Sequence, residues 1–138
     1  MAEALILDSE AVNALARAKG RPVLAERARA ILKVAHDESA LVRVPAPVLA
    51  EVYRGGAVDA SLDHLLNGRG IVVFDLNARI ARRAGALLAL QKLNSAHAVD
   101  AFVVATALEF SSAVIATGDP DDLRRLASGS PQVRIFAI

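Results

Sequence analysis

The stretch Ile115-Ala-Thr-Gly-Asp-Pro-Asp-Asp-Leu123, IATGDPDDL, closes an apolar run beginning at Ala113 and places three carboxylates within four residues. The apolar part reads as a buried strand, and Asp119-Pro120 reads as the opening of a helix. A strand passing through a short turn into a helix is the repeating unit of a parallel sheet. The acids admit two roles at such a place. They can serve a helix N-terminus, where caps and the macrodipole favour negative charge. Alternatively, they can hold a cation beyond the end of the strand.

Working outward, the same alternation recurs along the chain. Ala4–Leu7, Leu41–Val44, Ile71–Phe74 and Val133–Phe136 are further short apolar runs. Between them lie helical patterns: one from Asp8-Ser9 to a stop at Gly20, and one from Pro22 to about His36. The next opens at Pro45-Ala-Pro47 and stops at Gly55-Gly56, and a short helix capped by Asp59 ends near Gly68. Asp75 and Asn77 offer caps for a long helix from Ala78 to about Leu93. Val99 to Phe110 and Asp119 to Ala127 complete the set. Continuous apolar strands separated by helices predict a mostly parallel sheet of about five strands, covered on both faces. No repeat or linker interrupts the chain, so residues 1–138 read as a single domain.

Composition narrows the function classes. A hydrophobic share of 54% with 22% charged residues fits a packed core and speaks against disorder. With no cysteine, disulfides and thiolate chemistry are excluded. His36, His64 and His97 lie far apart without a recurrent ligand spacing. The amino terminus lacks the basic and long apolar segments of a signal peptide, and no apolar run approaches the roughly 18 residues of a membrane span. A soluble, cytoplasmic protein without a membrane partner is expected. A net charge of +1 does not announce a nucleic-acid binder.

The acids carry the chemistry. Ligands of open parallel sheets bind beyond the carboxyl ends of strands, where Asp8 and Asp119 both fall. Glu51 is the only charge between Arg43 and Arg54, and Asp100 the only one between Lys92 and Glu109. Both are read as lying near the start of helices otherwise built for burial. Two like charges about 4 Å apart repel by about 4 kcal/mol at an effective dielectric of about 20. Gathering four of them calls for protonation, basic partners or a divalent cation. Oxygen ligands favour a hard ion, Mg²⁺ or Mn²⁺. Taken singly, Asp8, Asp119, Asp121 and Asp122 are explained as caps or first-turn acids. Taken together, Asp8, Glu51, Asp100 and Asp119 are better explained as a cluster.

These residues, in this order, resemble the PIN domain family and its VapC-type toxins of toxin–antitoxin pairs. The markers are LILDSEAVNAL, PAPVLAEVYRG, HAVDAFVVATAL and VIATGDPDDLRRLA, and the resemblance covers essentially the whole chain. The resemblance implies a three-layer α/β/α sandwich and a Mg²⁺- or Mn²⁺-dependent endoribonuclease, neutralised by a cognate VapB-type antitoxin and commonly homodimeric. It implies Asp8, Asp100 and Asp119 as metal ligands, direct or through water. Glu51 would hold a coordinated water or serve a second ion, and Asp122 would be a peripheral helper. Ser9 and Thr117 would hydrogen-bond the carboxylates or the substrate.

Other signals are read more plainly. Arg79, Arg82 and Arg83 share a helix face and are read as a solvated or partner surface rather than an RNA track, and Arg124 and Arg125 are ambiguous in the same way. His97, one turn before Asp100, is read as a structural or rim histidine. Tyr53 and Phe102 belong to core or interface. Two alternatives compete: a receiver-like signalling domain with Asp75 as phospho-acceptor after the third strand, and a PIN-like binding module without catalysis.

Overall fold

A computed structural model describes residues 3–17, 20–68 and 70–138. The first half runs β1 (Ala4–Leu7), α1 (Ser9–Ala16), α2 (Pro22–Asp37), β2 (Leu41–Pro45), α3 (Ala46–Val52) and α4 (Ala57–Leu66). The second half runs β3 (Ile71–Phe74), α5 (Ala78–Leu90), α6 (Ala98–Ala107), β4 (Ala113–Thr117), α7 (Pro120–Leu126) and β5 (Val133–Ala137). A 3-10 turn at Ser95–His97 leads into α6.

All five strands are parallel, in the order β3-β2-β1-β4-β5. The central strand β1 is buried throughout because helices cover both of its faces, which is why its four residues are all apolar. Right-handed crossovers put α1–α4 on one face of the sheet and α5–α7 on the other. The packing agrees: α1 lies against α2, α3 and α4, while α6 lies against α5 and α7. Strand order reverses direction between β1 and β4, and a crevice at the carboxyl ends of the strands follows from that reversal. Leu7 pairs with Ala116, and the Asp8 N–H donates to the Ala116 carbonyl at 3.3 Å. Asp8 and Thr117 therefore emerge side by side at the switch point.

The expected α/β/α layers and parallel sheet are present. Several helix ends differ from the sequence reading. The first helix stops at Ala16, well before Gly20. Asp59 is in the first turn of α4 rather than at its cap, because its carboxylate accepts from the backbone N–H groups of Arg54 and Gly55 at 3.0 and 2.9 Å. Asn77 alone caps α5, through the Ile80 N–H, and Asp75 does not take part. Glu51 lies next to the end of the short α3, not near its start. The strand order also removes the receiver-like alternative. There the third strand lies next to the first, inside the sheet. Here β3 is an outer strand and Asp75 is exposed beyond it.

Candidate metal centre

Each acid reaches the carboxyl edge by a different local device. Asp8 follows β1 and caps α1, its carboxylate accepting from the Ala11 N–H at 2.9 Å. Asp100 lies in the first turn of α6. Asp119 occupies the cap position of α7 without capping it by its side chain, and Asp122 lies in that helix's first turn. Glu51 arrives from α3, which packs against α6.

Burial is unequal. Asp8 is buried, Asp100 and Asp122 are half-buried, and Glu51 and Asp119 are exposed. The acids are thus graded, with Asp8 as the floor and Glu51 and Asp119 at the rim. Two hydroxyls organise the set. Ser9 Oγ donates to Glu51 Oε1. Thr117, fully buried at the end of β4, hydrogen-bonds the Asp8 carboxyl and accepts from the Asp119 N–H at 2.9 Å.

The electrostatics show that the acids share one field. Burial raises the Asp100 carboxyl to about 6, and the charges of Asp122, Glu51 and Asp119 push in the same direction, while His97 opposes them. Asp8 is also raised to about 6, chiefly by burial, against the hydrogen bonds from Thr117 and Ala11 and with added repulsion from Asp100 and Glu10. Among the described residues, no Lys or Arg pairs with Asp8, Glu51, Asp100, Asp119 or Asp122. The arrangement can lower its energy by taking up protons or a divalent cation.

Within this field, the compact group is His97, Asp100 and Asp122, whose ligand atoms lie within 4.8 Å of one another. Asp8, Asp100 and Asp119 do not form an equally tight trio among the described residues. His97 Nδ1 lies 3.5 Å from Asp122 Oδ2, so this histidine belongs to the cluster and not merely to its rim. Its spacing three residues before Asp100 is the signal that could have found it, since such residues share a helix face. Glu10 was also passed over. An added Cβ at Gly118 would come within 3.0 to 3.2 Å of its side chain, so Gly118 leaves room for Glu10 beside the site.

The arginines are engaged elsewhere. Arg79 and Arg83 both pair with Glu109, beyond the end of α6, the latter at 3.5 Å. Arg124 lies 3.9 Å from Asp121, and Arg125 donates to the Gln91 carbonyl at 2.7 Å. The Arg79, Arg83 and Arg125 contacts link neighbouring helices or their ends, while the Arg124 pair lies within α7.

The PIN domain family model matches residues 5–129. No curated protein sequence matches the chain. The solved structures that share its fold include the following three. One is VapBC2 from Rickettsia felis bound to a promoter DNA fragment, with a TM-score of 0.67 and 15% identity, 98% of each chain being covered. Another is a toxin–antitoxin complex from Klebsiella pneumoniae, with a TM-score of 0.65 and 20% identity over 97% of this chain and 99% of the other. The third is VapBC-1 from nontypeable Haemophilus influenzae, with a TM-score of 0.60 and 18% identity over 97% of each chain.

Proposed function

The chain belongs to the PIN domain family, and from that premise we propose that it is a metal-dependent endoribonuclease, the VapC-type toxin of a toxin–antitoxin pair, with residues 1–138 acting as one unit. The observation that carries the reading is the convergence of acids from α3 and α7 on Asp100, with an Asp122 oxygen within 4.8 Å of its carboxylate and, among the described residues, no Lys or Arg paired with either. Four separated segments converge there, and a divalent cation relieves what their burial and mutual charge impose.

Asp8, Asp100 and Asp119 are assigned as holding Mg²⁺ or Mn²⁺, directly or through water, with Asp122 as an auxiliary acid. Oxygen donors with partly exposed rim positions suit an ion that keeps several waters. When bound, such an ion lowers the pKa of a coordinated water and offsets charge on a phosphodiester oxygen. Glu51, exposed and with one oxygen engaged by Ser9 Oγ, has its other oxygen free to orient the attacking water and take its proton. Thr117 fixes the Asp8 carboxyl and the Asp119 backbone relative to each other.

The partner assigned is a VapB-type antitoxin, since the matched folds occur in VapBC and toxin–antitoxin complexes. A cavity of about 790 Å³ between α1 and α4 is the docking place we assign to it, lined in part by Asn13, Ala14, Arg17, Arg21, Val58 and Ser61. Asn13 Oδ1 is buried without a hydrogen-bond partner among the described residues. A cytoplasmic location, where RNA and the antitoxin meet, and a homodimeric state complete the reading.

Purified protein is expected to cut single-stranded RNA in Mg²⁺ or Mn²⁺ and to stop in chelator. Cleavage that survives chelation, or protein that binds the ion and leaves all RNA intact, contradicts this function. The second outcome favours the non-catalytic binding module.

A further inference from the structure

We propose that His97 is itself a metal ligand, completing with Asp100 and Asp122 a mixed imidazole–carboxylate position that favours Mn²⁺ over Mg²⁺. The proposal rests on the divalent-ion reading above and adds to it a nitrogen donor, a direct ligand role for Asp122 in place of an auxiliary one, and a choice of ion.

Local structure aims the ring. Asn94 Oδ1 accepts from the Ala96 N–H at 2.9 Å and fixes the 3-10 turn, which delivers His97 to the cap position of α6. One turn later on the same helix comes Asp100, so the imidazole and that carboxylate share a face. Asp122 meets them from α7, which packs against α6.

The spacing separates a ligand set from an ordinary ion pair. A charge-assisted N–H···O bond closes to about 2.7–2.9 Å. The 3.5 Å between His97 Nδ1 and Asp122 Oδ2 leaves that bond unmade. An ion about 2.0–2.2 Å from each donor holds neighbouring donor atoms roughly 3–4 Å apart. The three donors, mutually within 4.8 Å, need only a small inward movement to reach that geometry.

Donor chemistry then sets the preference. Mg²⁺ takes oxygen ligands and retains its waters, gaining little from imidazole. Affinity for nitrogen donors rises along the first-row series from Mn²⁺ onward. His36 and His64 lie in the last turns of α2 and α4, so His97 is the imidazole placed among the site's acids.

The direct test is pulsed EPR on the full-length protein loaded with Mn²⁺ alone, read for ¹⁴N coupling from a bound imidazole. The wild type is expected to show that coupling, and His97→Gln to lose it. Titration should show Mn²⁺ affinity falling by at least about tenfold in His97→Gln, with Mg²⁺ affinity changed by less than about threefold. Mn²⁺ bound without nitrogen coupling in the wild type overturns the proposal while leaving the oxygen-ligand nuclease intact. Equal losses for the two ions overturn it as well, since a general charge or positioning effect would do the same. No Mn²⁺ or Mg²⁺ binding at all overturns the metal-dependent function together with this inference.

Discussion

The buried Thr117 hydroxyl binds the Asp8 carboxyl across the β1–β4 seam. The same oxygen accepts the Asp119 N–H at 2.9 Å, so one side chain at the end of β4 joins two acids that are distant in sequence. Thr117→Val removes the donor to Asp8 and leaves the Asp119 N–H without its acceptor. The expected cost is on the order of 1–3 kcal/mol, seen as a lower midpoint in urea unfolding, with RNA cleavage reduced. Thr117→Ser keeps the hydroxyl and should retain most of both properties.

A pH dependence follows from the two raised carboxyls. Asp8 and Asp100 have ordinary values of 3.8 and folded-state values of about 6. The stability they contribute is therefore fully present below about 3.8 and is lost as pH rises through about 6. For buried Asp8 the loss is on the order of 2–3 kcal/mol. Asp8→Asn keeps an oxygen for capping and removes the ionisation. In chelator, the melting temperature of the wild type should fall relative to Asp8→Asn between about pH 4 and pH 6.5, and Mn²⁺ should recover more stability in the wild type than in Asp8→Asn. Parallel pH curves for the two proteins would refute this.

Glu51 separates function from stability. It is exposed, so Glu51→Gln should alter stability by less than about 0.5 kcal/mol. Cleavage should nevertheless fall by roughly 10²-fold or more if Glu51 acts as the base. Ser9→Ala, which frees the Glu51 oxygen that the hydroxyl engages, should give a smaller loss. Asp75→Asn, at an exposed site beyond an outer strand, should match the wild type in growth arrest and cleavage.

The proposed antitoxin cavity can be blocked without touching the acids. Val58→Arg puts a long cation into the space between α1 and α4. Cleavage should persist while neutralisation by the antitoxin is lost, measured as growth arrest despite co-expression. Restored growth would place the antitoxin elsewhere.

The strands were legible because each is a short, continuous apolar run, and burial on both faces permits nothing else in β1. Helix ends were less so. An acid near a helix start reads as a cap, yet Asp59 turns back to bind the preceding loop, and Asp119 stands at the cap position of α7 without a side-chain cap bond. Glu51 was misplaced because α3 ends at Val52, before the Gly55-Gly56 stop read from the sequence, which leaves Glu51 in its last turn. For the site, the acids that meet were visible as lone charges in apolar helices. Their relative closeness was not, since it depends on how α6 packs against α3 and α7. His97 shows the difference most clearly: its spacing to Asp100 is local, whereas its approach to Asp122 is tertiary.

The central physical claim is that like charges from four parts of the chain are held together to receive one cation. Anomalous diffraction from crystals soaked in Mn²⁺ tests it most directly. A peak within about 2.5 Å of an Asp100 carboxylate oxygen, bordered by residues 8, 119 and 122, is the predicted result. A well-ordered, unprotonated Asp100 with no peak beside it at saturating Mn²⁺ would contradict the account.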